Sequence, residues 1–162
     1  MRGRFQYMIS EENITAIVDY AHTPDALKNI LETLNSIRTK NETLITVVGC
    51  GGDRDKTKRP KMANIASSLS TKVIFTSDNP RTENPETIIE EMEKGVEPQH
   101  FKKTMSIVDR RQAIKTACQL AQPNDIILVA GKGHETYQEI NGKRIDFDDY
   151  KIVDEFLKQL QK

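Results

Sequence analysis

The sequence has little of what would make a function obvious. Neither sign of charge is in excess: 24 Lys and Arg stand against 24 Asp and Glu, a formal net charge of zero over 162 residues. A chain without a global basic field lacks the electrostatic footprint of a nucleic-acid binder or of a protein held on anionic lipid, so neither nucleic acid nor membrane is expected as a partner. No apolar run approaches the roughly 18 residues that span a bilayer, and Met1 to Ser10 carries Arg2 and Arg4 instead of the apolar stretch of a secretory signal. A cytoplasmic protein is expected. The two cysteines, Cys50 and Cys118, lack paired metal spacing, which predicts reduced thiols with neither a zinc site nor a structural bridge. The histidines, His22, His100 and His134, form no locally recognisable Ser-His-Asp or metal pattern. Gly-x-x-x-x-Gly-Lys-Ser/Thr and Gly-x-Gly-x-x-Gly are both missing, which excludes two common glycine-rich phosphate cradles.

What is present is a regular alternation. The length suits one domain spanning residues 1–162, and 36% hydrophobic residues against 30% charged ones allow a modest core. Five β-branched runs, Thr15 to Val18, Leu44 to Val48, Lys72 to Thr76, Met105 to Val108 and Ile126 to Ala130, read as buried strands. Four helical stretches separate them. The first starts at Thr23-Pro24 and repeats Ala26, Leu27, Ile30, Leu31, Leu34 and Ile37; the second starts near Pro60 with Met62, Ile65, Ala66 and Leu69. The third follows Asn84-Pro85 with Ile88, Ile89 and Met92, and the fourth runs from Asp109 with Ala113, Ile114, Ala117, Cys118 and Ala121. Capping residues and first-turn prolines at these starts fit helix N-termini. Strand and helix in alternation predict an α/β fold of right-handed units, a doubly wound, mostly parallel sheet. Tyr137 to Ile140, Asn141-Gly142 and Lys143 to Phe147 predict a hairpin with a type I′ turn. Asp148 to Leu160 predicts a closing helix with Ile152, Val153, Phe156 and Leu157 inward, and Arg4 to Ile9 an additional edge strand.

Open α/β sheets bind ligands beyond the carboxyl ends of their strands, and in this chain the turns after the strands are chemically dense. They read Asp19 to Asp25, Gly49 to Lys56, Ser77-Asp78-Asn79-Pro80-Arg81, Asp109-Arg110-Arg111 and Gly131-Lys132-Gly133-His134-Glu135, and all five should crowd one rim. Each has an ordinary explanation taken alone. The glycines of Gly49 to Gly52 suit a turn with positive φ as well as a close ligand, Asp78 and Asn79 suit an Asx turn before Pro80, and Arg81 or His134 could be solvated. The basic stretch Lys56 to Lys61 fits a solvated helix entrance or an anion. Solvation, however, calls for neither glycines nor a preferred end of the sheet.

Taken together and in order, Asp19-Tyr20-Ala21-His22-Thr23-Pro24-Asp25, Gly49-Cys50-Gly51-Gly52-Asp53-Arg54-Asp55-Lys56, Asp78-Asn79-Pro80-Arg81 and Gly131-Lys132-Gly133-His134-Glu135 closely resemble the C-terminal domain of the Mur ligases of the MurE type. The resemblance runs from Gly3-Arg4-Phe5 to the last helix. It implies a Rossmann-like domain for the incoming amino acid, with a UDP-binding domain and a central ATPase domain absent from these residues. That family uses ATP and Mg²⁺ to join an amino acid to UDP-MurNAc-L-Ala-D-Glu in peptidoglycan synthesis, and keeps its P-loop and Mg²⁺ ligands in the central domain, so the chain alone should not hydrolyse ATP. The resemblance makes meso-diaminopimelate the amino acid, bound by Arg54, Asp78, Asn79, Pro80, Arg81, Gly131 and Glu135. It puts Arg4, Asp19 and His22 against the nucleotide, ATP or ADP, with no catalytic side chain of its own. Diaminopimelate differs from lysine by a distal carboxylate, and the planar fork of Arg81 suits that group. Two other functions are weighed: a lysine-adding ligase of the same family, and a nucleotide- or amino-acid-binding module without catalysis.

Overall fold

The computed structural model describes residues 5–39, 41–132 and 135–162. Five strands, β2 (Thr15–Asp19), β3 (Leu44–Val48), β4 (Lys72–Phe75), β5 (Thr104–Ser106) and β6 (Ile126–Ala130), run parallel in one sheet, and β1 (Phe5–Ile9) pairs antiparallel with β2 at its edge. The sheet order is β1-β2-β6-β3-β4-β5. The last parallel strand in sequence therefore lies between the first two, pairing Thr15 with Ile126 on one side and Leu44 with Ile126 on the other.

Helices cover both faces, because the central strands are apolar on both. On one face Leu44, Val48, Val73, Phe75 and Leu128 meet α1 (Pro24–Ile37), α2 (Lys58–Leu69) and α3 (Pro85–Glu93). On the other, Ile45, Val47, Ile74, Ile127 and Val129 meet α4 (Arg110–Leu120) and α5 (Asp149–Gln159). The expected caps form: Thr23, Asn84, Asp109 and Asp148 accept hydrogen bonds from first-turn N–H groups. Helix α2 starts two residues before Pro60, with no side-chain cap. The hairpin β7 (Tyr137–Ile140) and β8 (Lys143–Asp146) forms a separate two-stranded sheet, and φ of 50° at Asn141 and 77° at Gly142 gives the type I′ turn.

Two expectations need correction. The run Met105 to Val108 is not a buried strand. Strand β5 covers Thr104–Ser106 at the open edge, with Met105 and Val108 both over a third exposed. Among the described residues no strand pairs beyond it, so its β-branched composition reports pairing alone. Ile37, at the end of α1, points to solvent, 68% exposed, because the helix has passed the sheet by then.

Candidate functional site

The loops after β2, β3, β4 and β6 meet the hairpin around a cleft of about 630 Å³ at the carboxyl end of the sheet. Its lining includes His22, Arg54, Asp78, Asn79, Arg81, Gly131 and Glu135, together with Tyr137, Glu139 and Arg144 of the hairpin. The turn after β5 is not part of it, which corrects the expectation that all five turns share the rim. Asp109 caps α4, and Arg110 turns into the protein interior. There Arg110 makes a two-point contact with buried Asp149 at 2.9 and 2.8 Å and donates to the carbonyls of Ser77 and Ala130. It ties α5 to the ends of β4 and β6 beneath the cleft floor.

The glycine loop after β3 is explained by backbone proximity. None of Gly49, Gly51 and Gly52 has positive φ, so the tight-turn reading fails. A Cβ on Gly49 would fall 2.4 Å from the Thr76 carbonyl oxygen, and one on Gly52 1.9 Å from that of Pro80. Only glycine lets the loop after β3 lie flat on the loop after β4, where Gly52 N–H donates to Asn79 O at 2.7 Å. Pro80 accordingly lies buried under this contact and outside the cleft lining. Gly131 does take a left-handed conformation, φ 118°, and its bare Cα faces the Asp78 carboxylate.

Arg81 is held by its backbone and by one part of its guanidinium. Its φ is 52°. Its backbone joins the hairpin through Arg81 N–H to Glu139 O (3.0 Å) and Asn141 N–H to Arg81 O (2.8 Å). Its guanidinium donates from Nε to Glu139 Oε2 at 2.8 Å and from Nη1 to Gly52 O at 2.9 Å. Glu139 is shared with Arg144 at 3.1 Å, and Arg144 stacks 4.2 Å above the Tyr137 ring. Arg54 is exposed and donates to the carbonyl of its neighbour Asp53 at 2.9 Å. Below, Arg59 is wholly buried and binds Glu83, Glu91 and the Gly51 carbonyl, bracing the glycine loop against α3. That guanidinium, with the Asp53 N–H, holds the Glu83 carboxyl down at about 2.

The acidic side of the cleft centres on a residue that sequence reasoning passed over. Lys132 is fully buried. Its Nζ donates to Asn79 Oδ1 at 2.7 Å and to the Tyr137 carbonyl at 2.9 Å, and pairs with Asp78 Oδ1 at 3.2 Å. Burial pushes its ammonium below the ordinary lysine range, opposed chiefly by the charge of Asp78. Asn79 Oδ1 also accepts from Glu139 N–H at 2.9 Å, and Asn79 Nδ2 lies 3.4 Å from Glu135 Oε1. These bonds replace the Asx turn that the sequence allowed. Asp78 Oδ1 is buried, and the Lys132 ammonium is the charge that faces it there. At the opposite edge His22 is exposed, its ring 4.5 Å from that of Tyr20, and Asp19 O receives Gly131 N–H. Arg4, Gly133 and His134 lie outside the described residues.

Both cysteines are buried and free, and burial pushes each thiol up to about 12, so neither is a nucleophile at neutral pH. Among the described residues no three His, Cys, Asp or Glu side chains converge in a way that could hold a metal ion, and no helix is long and apolar enough to cross a membrane.

Comparison with known proteins adds to this geometry. Residues 3–133 match the family described as Mur ligase, glutamate ligase domain. The UDP-N-acetylmuramoyl-L-alanyl-D-glutamate–2,6-diaminopimelate ligase of Cytophaga hutchinsonii is 59% identical over 160 residues, which is 99% of this chain and 33% of the relative. The ligase of the same name from Bacteroides thetaiotaomicron is 54% identical over 153 residues, 94% of this chain and 32% of the relative. A solved structure of a UDP-N-acetylmuramoyl-L-alanyl-D-glutamate–2,6-diaminopimelate ligase superposes with a TM-score of 0.90 at 46% identity, covering all of this chain and 32% of that one. The chain thus spans about a third of the length of the curated relatives it matches.

Proposed function

Since the chain belongs to the Mur ligase family through its glutamate ligase domain, we propose that it is the amino-acid-binding part of an ATP-dependent ligase that adds meso-diaminopimelate to UDP-MurNAc-L-Ala-D-Glu in the cytoplasm. The observation that carries this reading is that side chains of both charges line one cleft. Arg54, Arg81 and Arg144 line it with Asp78, Glu135 and Glu139. A molecule bearing carboxylates and ammonium groups finds complementary partners there. A purely anionic or purely cationic ligand would meet side chains of its own sign there.

In this reading Arg81 receives the distal carboxylate and Asn79 adds a neutral donor. Arg54, free to swing, reaches a second carboxylate. Glu135 and the backbone at Gly131 take the distal ammonium, with Asp78 beside them. The reaction joins the ligand's other amine to an activated D-glutamyl carboxyl, and the chain's share is to fix that amine and exclude water. The nucleotide edge would be Arg4, Asp19 and His22. The described residues do not by themselves fit an Mg²⁺–ATP centre, since they offer neither a converging ligand set nor a phosphate loop. The phosphoryl chemistry belongs to the remaining two thirds of a full-length ligase.

Steady-state kinetics of the full-length enzyme with meso-diaminopimelate and with L-lysine tests the proposal. Wild type should prefer diaminopimelate, because lysine lacks the distal carboxylate that the Arg81 guanidinium would receive. Arg81→Ala should raise the KM for diaminopimelate roughly 10- to 1000-fold, the loss of a charge-assisted pair of about 1.5–4 kcal/mol, and should affect lysine less. A wild-type enzyme that prefers lysine overturns the choice of substrate. Equal losses for both amino acids would make Arg81 a support for the loop only.

A further inference from the structure

Lys132 does not line the cleft, yet it touches what does. A buried ammonium is costly to desolvate and persists only where its partners repay that cost. Its four partners are Asp78 and Asn79 after β4, Glu135 at 4.0 Å after β6, and the Tyr137 carbonyl at the start of the hairpin. The effect on Asn79 is specific. An ammonium and a backbone N–H can only donate, and both Lys132 Nζ and Glu139 N–H meet the same Asn79 atom, at 2.7 and 2.9 Å. That atom must be the carbonyl oxygen. The amide nitrogen is thereby turned to the other side, toward Glu135, in the cleft wall.

Building on the function proposed above, we propose that Lys132 is a positioning residue for amino-acid recognition: it locks the Asn79 carboxamide with its NH₂ toward the ligand, giving a neutral donor beside Arg81 for a carboxylate, and neutralises Asp78 behind it. Without Lys132 the carboxamide could rotate by half a turn and present an oxygen to the incoming carboxylate. The cleft would then be filled by the same residues but would repel what it now binds. Lys132 thus sets the sign of the Asn79 contact without touching the ligand.

The test uses the full-length enzyme, with meso-diaminopimelate as the varied substrate, and four variants: Lys132→Met, Asn79→Ala, their combination, and Asn79→Asp. Lys132→Met should raise the KM for diaminopimelate roughly tenfold or more, with the KM for ATP within about twofold of wild type. In the Asn79→Ala background the same change should add less than about threefold, because its route of action has been removed. A merely structural lysine would instead give multiplicative losses in the double variant and would move both KM values. Asn79→Asp covers the case in which Lys132→Met does not fold: it keeps the pair with Lys132 but turns a carboxylate oxygen to the ligand. It should bind diaminopimelate more weakly than Asn79→Ala, and equal or tighter binding overturns the inference. An unchanged KM in a folded Lys132→Met enzyme also overturns it. A wild-type enzyme that does not use diaminopimelate overturns the function proposed above, and this inference with it; a wild type that uses it beside indifferent variants overturns this inference alone.

Discussion

Glu83 shows how a single carboxylate can hold two loops. It accepts from Arg59 and from the backbone of Asp53, and its folded value of about 2 lies below the ordinary 4.5. A depressed carboxyl stabilises the fold above its unfolded value, and this contribution is lost as pH falls through its folded one. Glu83→Gln should therefore cost about 1–2 kcal/mol at pH 7, a figure already reduced for the partial exposure of the carboxylate. The cost should shrink below pH 4.5 and vanish near pH 2. Urea titrations of both proteins across that window check it, and a gap that stays constant with pH would mean that the side chain acts by packing. At this scale the sequence was legible where a residue type had one strong reason to be there. Asp78, Asn79, Arg81, Gly131 and Glu135 all reach the cleft. Lys132 was not legible, because a lysine is solvated by default and its burial depends on Asn79, 53 residues away. Arg110 misled for the same reason, its partner Asp149 being 39 residues distant.

The hairpin shows the same division among elements. Asn-Gly between alternating residues announces a type I′ turn from local chemistry, and the turn forms. Nothing local announces that the hairpin leaves the main sheet and docks on Arg81 through two backbone hydrogen bonds. Asn141 carries both properties, a φ of 50° and the N–H that bonds Arg81 O. Asn141→Pro denies both, since proline fixes φ near −65° and has no N–H. The KM of the full-length enzyme for diaminopimelate should rise roughly tenfold, from loss of about one positioned contact. The thermal midpoint should move little, because β8 is exposed along its whole length. A collapse of the midpoint with an unchanged KM would show that the hairpin supports the core and not the cleft. Helices were legible from caps and spacing because those signals lie within one turn of the chain. Strand β5 was misjudged because β-branched residues mark pairing without saying whether anything covers the strand.

For the molecule as a whole, the cleft is one part of the ligase proposed above. Its groups suit holding an amino acid, and the described residues supply no phosphate loop or converging metal ligands. The 162-residue chain alone should show no Mg²⁺-dependent ATP turnover, and phosphate release above background from the purified chain would contradict the division of labour proposed here. The sheet order has a consequence for how the molecule is made. Strand β6 is the seam between β2 and β3, pairing with both along its full length. Until residues 126–130 emerge, β1-β2 and β3-β4-β5 can pair only within themselves, with an open slot between β2 and β3 where two hydrogen-bonding backbone edges wait. Closing it joins Thr15 to a partner 111 positions later, a non-local step of the kind that slows folding. A ribosome paused before β6 would therefore carry a sticky, unfinished intermediate, and the arrival of one five-residue strand would turn it into a single cooperative body.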